Sequence, residues 1–401
     1  MSRAPEVLRA FLRLGLISFG GPVAHIGYFR EEFVARRRWL DDAAFSDLVG
    51  LCQFLPGPAS SQLGFSIGLL RAGFVGGLAA WTGFTLPSAI ALTLVAFGTD
   101  AALQGSSASV AAGVVHGLKL VAVAIVAQAV WGMARTLCPD PQRAAIAIAA
   151  AVAVSVGASS MMQVAVLLCG GLLGIWFCRT PTPASTAQPV APVSRLAAPV
   201  SRAAGMASLA VFAVLLIGLP WLRGWHTAAL FDAFYRSGAL VFGGGHVVLP
   251  LLREAFVASG WVSDDVFLAG YGAAQAVPGP LFTFASYLGA VAAPASHRVA
   301  GALLGLIGIF LPGILILLGT LPFWDQFRVR TDAQALMRGI NAAVVGVLGA
   351  ALYHPIWTSS VTTARDIGVA LTGFVLLTVW RAPPILIVTL GAAAGIVLTR
   401  T

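Results

Sequence analysis

The sequence predicts an all-α polytopic membrane protein made of two inverted-topology repeats. Each repeat combines broken, re-entrant helix hairpins with full transmembrane spans. Three observations lead there. The first is composition: of 401 residues, 58% are hydrophobic and 10% charged, and the mean hydropathy is +0.90. A soluble domain carries about 25% charged residues, so this chain lacks the polar surface to stay in water. The second is a repeated interruption. Gln53-Phe54-Leu55-Pro56-Gly57-Pro58 returns as Gln275-Ala276-Val277-Pro278-Gly279-Pro280, with Pro56 and Pro278 222 residues apart. Proline removes an amide donor and clashes with the preceding helical turn, and glycine releases the backbone. The third is the placement of arginine in short loops. A formal charge of +9 would suggest a nucleic-acid partner in a soluble chain; here it sets orientation in the bilayer.

Taken in order, residues 1–10 form a short basic tail with Arg3 and Arg9, and no signal-peptide cleavage site precedes the next apolar run. Residues 11–29 are apolar but interrupted by Gly20-Gly21-Pro22, and 30–42 form a loop rich in arginine at Arg36-Arg37-Arg38. Residues 43–70 carry the first Pro-Gly-Pro. Residues 74–98 and 110–131 are long enough to span at about 1.5 Å per residue. Two shorter runs, 143–156 and 161–177, read as a tight helical hairpin joined by Gly157-Ala158-Ser159-Ser160. The stretch 179–202 holds Pro181, Pro183, Pro189, Pro192 and Pro199, and is too proline-rich for a helix. We therefore divide the chain into an N-terminal membrane repeat (1–178), a cytoplasmic linker (179–204) and a C-terminal membrane repeat (205–401).

The second repeat opens with an extra span, 205–222. Residues 231–252 then carry Phe242-Gly243-Gly244-Gly245-His246, and 266–293 carry the second Pro-Gly-Pro. Runs at 299–321, 333–353, 367–380 and 384–398 complete it. Phe19-Gly20-Gly21 matches Phe242-Gly243-Gly244, and Arg30-Glu31 with Phe33 matches Arg253-Glu254 with Phe256, all at an offset of 223. Trp39, Asp42 and Phe45 match Trp261, Asp264 and Phe267 at 222, so one residue is lost between them. Leu86-Pro87 matches Leu311-Pro312, and Gly117 matches Gly339. So many ordered matches mark an internal duplication.

Orientation follows from charge. The N-terminal tail, Arg36–Arg38, Arg71, Arg135 and the 179–202 linker belong on the cytoplasmic side by the positive-inside rule. Both ends of 11–29 are basic, so this run enters and returns at Gly20-Gly21-Pro22. The extra span inverts the second repeat and brings Arg328, Arg330, Arg338 and Arg381 inside. The N-terminus is thus expected in the cytoplasm and the C-terminus outside, with His297-Arg298 a mild misfit. Inverted repeats with discontinuous helices are the build of many secondary transporters.

Irregular backbone at membrane depth survives where it lines a polar cavity or is buried in protein. Half-helices that begin at such breaks point free amides and a positive dipole end toward them, which makes a natural anion site. The candidate residues are Gly20, Gly21, Pro22, Pro56, Gly57, Pro58, Gly243, Gly244, Gly245, Pro278, Gly279 and Pro280. Gln53 and Gln275 hold matched places and serve as amide donors. His25 and His246 follow the glycine breaks; each is a donor to an oxyanion, a proton carrier, or a hairpin-end residue bonded to backbone. Lys119 lies in a long apolar run, where an ammonium is expensive; it counters an anion or reaches an interface. Arg30 and Arg253, each followed by Glu, read as loop ion pairs that could also draw anions. Ser60, Ser61, Thr283 and Ser286 add hydroxyls beside the breaks or bond back to their own turns.

This constellation resembles the chromate ion transporter (CHR) family in its long two-domain form. The residues that carry it are Phe19-Gly20-Gly21-Pro22 with His25, the loop from Arg30-Glu31-Glu32-Phe33 to Trp39, and Gln53-Phe54-Leu55-Pro56-Gly57-Pro58. Phe242-Gly243-Gly244-Gly245-His246 and Gln275-Ala276-Val277-Pro278-Gly279-Pro280 carry it in the second half. The likeness covers residues 8–135 and 228–400. It implies a bacterial inner-membrane protein with antiparallel halves that exports chromate and gives chromate resistance. Some members of the family act on sulfate, and the amide cradle would suit either dianion.

A secondary transporter for a tetrahedral oxyanion is the expected function. An anion channel with the same site and a membrane enzyme such as a chromate reductase are the alternatives. The sequence carries no P-loop, no flavin or nicotinamide fingerprint and no haem motif. The four cysteines, Cys52, Cys138, Cys169 and Cys178, have no paired metal spacing. No cofactor, metal or nucleic acid is therefore expected; the partners are the lipid bilayer and a small oxyanion, and a homodimer is compatible with the reading.

Overall fold

The computed structural model describes residues 3–19, 21–104, 108–157, 160–179, 200–242, 245–327 and 330–398. All regular structure among them is helical. The first half contains α1 (Ala4–Ile17), α2 (Gly21–Arg30), α3 (Asp42–Phe54), α4 (Ala59–Gln104), α5 (Ala108–Leu137), α6 (Pro141–Val156) and α7 (Ser160–Phe177). The second contains α8 (Arg202–Gly218), α9 (His226–Ala239), α10 (Val248–Phe256), α11 (Asp264–Ala276), α12 (Phe284–Ala292), α13 (Arg298–Thr320), α14 (Trp324–Phe327), α15 (Thr331–Ala351), α16 (Thr358–Ser360), α17 (Ala364–Thr378) and α18 (Pro384–Leu398). Among the described residues, five helical stretches are long and apolar enough to cross a bilayer: Ala59–Gly98, Ala112–Leu137, Arg202–Leu222, Ala295–Phe323 and Thr331–Ser360. Four shorter apolar helices accompany them.

Both expected Pro-Gly-Pro interruptions are present, and proline causes them. Leu55 (ψ 149°) and Val277 (ψ 134°), each preceding a proline, leave the helical region and end α3 and α11. Their starts are capped alike: Asp41 accepts from the Ala44 amide at 2.7 Å, and Ser263 from the Val266 amide at 3.4 Å. α4 is itself broken at Ala72-Gly73, where Gly73 has φ 66°, and α12 and α13 are its separated counterparts. The loops between the broken hairpins are tied by matched pairs, Arg30–Asp42 and Arg253–Asp264, both at 2.8 Å. The partner of each arginine is thus an aspartate at the next helix start, not the glutamate beside it in sequence. A glutamate one residue away points off another side of the helix.

Aromatic packing repeats as well. Phe11 stacks on Phe33 and Phe33 on Trp39, with centroids 4.7 and 4.8 Å apart. Phe234, Phe256 and Trp261 form the matching row in the second half at 4.5 and 5.5 Å, with tilted and edge-to-face rings. Such pairs contribute about 0.5–1.5 kcal/mol each beyond their burial. Glu6 reaches both Arg37 (3.6 Å) and Arg71 (3.1 Å), and the Arg71 guanidinium lies 4.9 Å from the Trp39 ring. The N-terminal helix, the arginine loop and the α4 break therefore share one side of the molecule.

The halves interlock. α1 lies along α4 and α9 along α13, but the terminal hairpins cross over. α6 and α7 pack on α15 of the second half, and α17 and α18 on α5 of the first. The largest core is accordingly continuous through both halves, and the α1–α4 core takes Ile316, Leu317, Leu321 and Trp324 from the second. α8 packs on α13 along one narrow face, with 11% of its apolar window buried.

Candidate functional site

The helix breaks meet in the interior, joined by backbone bonds that link the halves. The Gly57 amide donates to the Val241 carbonyl at 2.7 Å, and the Gly279 amide donates to the Ser18 carbonyl at 2.8 Å. Ser18 and Val241 are repeat-matched positions, as are Gly57 and Gly279. Each Pro-Gly-Pro thus bonds to the strand of chain that leads into the opposite glycine break. Gly57 (φ 117°) and Gly279 (φ 104°) adopt a conformation that side chains rarely reach. A Cβ at Gly57 would lie 3.0 Å from the Gly313 Cα, and one at Gly279 2.9 Å from the Ser88 Oγ. Pro22 and Leu281 close on Gly245, within 3.7 Å of where its Cβ would be.

A cleft of about 750 Å³ opens beside this junction. Its lining includes Phe19, Gly21 and Pro22 from the first glycine break, and Gln275, Val277 and Gly279 from the second Pro-Gly-Pro. Gln128, Trp131, Arg135 and Thr136 of α5 and Thr378 and Arg381 around the end of α17 complete its polar wall. The size suits a small guest with its water. The start of α2 faces it, and the first amides of a helix lack intrahelical partners. The Gln275 Nε2 is buried with no partner among the described residues.

The structure therefore brings Gly21, Pro22, Gln275 and Gly279 to one cleft. Pro56, Gly57, Pro58, Pro278 and Pro280 are not among its lining residues. Gln53 is exposed and does not line the cleft, although its repeat partner does. His25 is 1% exposed, with Nδ1 3.3 Å from the Ser60 Oγ and Nε2 3.3 Å from the Ser18 carbonyl. It braces α2 against α4 and lies outside the cleft lining. The Lys119 ammonium is held by Asp265 at 2.7 Å, also outside the lining. Next to it on α5, His116 Nε2 lies 2.7 Å from the Asp366 carboxylate, which also closes the capping box of α17. Thr283 bonds to the Pro280 carbonyl, and Ser286 to the carbonyls of Thr283 and Ala89. Gly20, Gly243, Gly244 and the His246 side chain lie outside the described residues.

Sequence reasoning missed Gln62. Its Nε2 donates to the Pro56 and Gly313 carbonyls, both at 2.9 Å. One side chain thus pins the first break to α13 beside its internal Pro312. Its repeat counterpart is Phe284, so comparison of the halves gave no signal. Arg135 and Arg381 were read only as markers of sidedness.

Long apolar helices, paired helix interruptions joined across the chain and a polar cleft beside them define a polytopic membrane transporter with discontinuous helices. Comparison with known proteins specifies the family. The chromate transporter family model matches residues 5–175 and 228–396, and the chain belongs to that family. It is 29% identical over 354 residues to a chromate transport protein of Pseudomonas aeruginosa, covering 86% of this chain and 79% of that one. It is 27% identical over 399 residues to a probable chromate transport protein of Synechococcus elongatus, covering 98% and 95%. A chromate transport protein of Cupriavidus metallidurans is 26% identical over 86% of this chain and 81% of its own. No solved structure matches the chain.

Proposed function

We propose that this protein is a secondary transporter that exports chromate across the bacterial inner membrane and so confers chromate resistance. The observation that carries the reading is the reciprocal pair of backbone bonds, Gly57 to Val241 and Gly279 to Ser18. It gathers interrupted helices from both halves beside one polar cleft. Irregular backbone of this kind, with helix starts aimed at a cavity, suits an oxyanion. Membership of the chromate transporter family and the names of the relatives favour chromate as that oxyanion.

In this reading residues 1–178 and 205–401 are oppositely oriented repeats, and the odd helix α8 produces the inversion. The cleft then opens to the cytoplasm, because Arg135 and Arg381 both line it and both fall inside by the positive-inside rule. Expelling a dianion from a negative-inside cell is downhill by about 2.3 kcal/mol per charge per 100 mV, so no nucleotide motor is required. The test is radiolabelled chromate and sulfate uptake into everted vesicles, with and without a pH gradient. Saturable chromate uptake that exchanges with internal chromate is expected. Flux that neither saturates nor exchanges would make the protein a channel, and sulfate flux alone would reassign the cargo. Pro56→Ala and Pro278→Ala should each insert normally yet reduce chromate uptake at least tenfold (about 1.4 kcal/mol). Wild-type flux in both would remove the breaks from the mechanism.

A further inference from the structure

Arg135 and Arg381 enter one cleft from different halves of the chain, at the end of α5 and just after α17. Neither has an ion-pair partner among the described residues. The nearest acid in sequence to Arg135 is Asp140, which Arg143 holds at 2.6 Å. No Asp or Glu occurs after Asp366, and the Asp366 carboxylate is already bonded to His116. By contrast, Arg30, Arg37, Arg236 and Arg253 each pair with a carboxylate. Two guanidinium groups without carboxylate partners give the cleft a positive lining, which a guest of charge −2 would complement.

The backbone supplies an independent observation. Arg381 has φ 52°, in the left-handed region. It stands where α17 ends, with the Ala382 amide returning to the Leu376 carbonyl at 2.9 Å. The left-handed conformation at a helix end is usually supplied by glycine, and any other residue adopts it against a steric penalty. A long cationic side chain is thus kept where the backbone favours none, and it reaches the cleft. Strain of that kind concentrates at functional positions.

We propose that Arg135 and Arg381 jointly recognise the charge of a divalent oxyanion, one from each half, with Gln275 as the neighbouring amide. The proposal rests on the reading of the chain as an oxyanion transporter. Each guanidinium offers a planar fork suited to two oxygens of a tetrahedral anion. Because the ligands come from both halves, movement of one half against the other separates them and releases the guest.

The experiment measures chromate uptake by everted vesicles carrying Arg135→Gln, Arg381→Gln, the double variant and Arg381→Gly. Thermal unfolding in detergent is followed in parallel. Each glutamine variant should raise KM about tenfold, which is about 1.4 kcal/mol, with little change in maximal rate. Lysine at either position should recover part of the loss. In the double variant, nitrate should compete with chromate as well as sulfate does, since preference for a double charge is gone. Arg381→Gly should unfold at a higher temperature than wild type while binding chromate more weakly; a purely structural role would not separate these. Wild-type KM in both glutamine variants, with normal wild-type flux, overturns the proposal and leaves the transporter reading intact. Absence of chromate and sulfate flux in the wild type would instead overturn the transporter reading.

Discussion

Gln62 decides how rigid the junction is. Its amide spans from the Pro56 carbonyl, freed by the first break, to the Gly313 carbonyl in helix α13. Leucine has a similar size and no donor, so Gln62→Leu removes both hydrogen bonds and strands the part-buried Pro56 carbonyl. The cost is about 1–3 kcal/mol, read as a lower unfolding temperature in detergent, and an unchanged temperature would mean that the strut carries no load. The same position shows what a sequence conceals. Matching one half to the other finds residues that are duplicated, and Gln62 is opposite Phe284. The converse also occurs: Gln53 and Gln275 look equivalent, yet only Gln275 lines the cleft. Which polar side chain meets the cavity depends on the partner across the break, and a single sequence does not state that partner.

At the level of elements, the interruptions were legible because their cause is local. A residue before proline is forced toward extended backbone whatever surrounds it, so the ends of α3 and α11 could be read directly. The loops were legible in part. An ion pair was foreseen for Arg30 and Arg253, but its acid is set by how α3 and α11 dock. The π-helical turn Glu31–Arg36 after α2 offers a test in pH. Burial alone would raise the Glu32 carboxyl, but hydrogen bonds from Arg36 and Arg37 outweigh it and hold the group below its ordinary value of 4.5. A depressed carboxyl contributes stability that is fully present above 4.5 and is lost as pH falls through the lower folded value. Glu32→Gln should therefore be less stable than wild type at neutral pH and show a flatter loss on acidification below pH 4.5. Parallel acid profiles of the two proteins would contradict this role.

At the scale of the whole molecule, the helical, membrane-spanning class and the order of the apolar runs followed from composition and the repeat, but the number of full spans did not. Nor did their docking. Nothing in an offset of 222 residues says that α7 seats on α15 and α18 on α5, because both hairpins are apolar on most sides. The crossing decides how the halves hold together. Cleavage at a protease site placed between residues 180 and 199 should leave the two pieces associated through detergent purification. A tag on one piece would capture the other, whereas separate elution would contradict the interlocked arrangement.

The crossed hairpins also govern how the chain is made. α5 enters the bilayer early in synthesis, but the helix that covers one of its faces, α18, is translated only after the whole of α8–α17. Until then that face meets lipid and whatever else is nearby. Chains halted before Pro384 should consequently be recognised by membrane proteases as unfinished, even though the cleft residues up to Arg381 have all been synthesised.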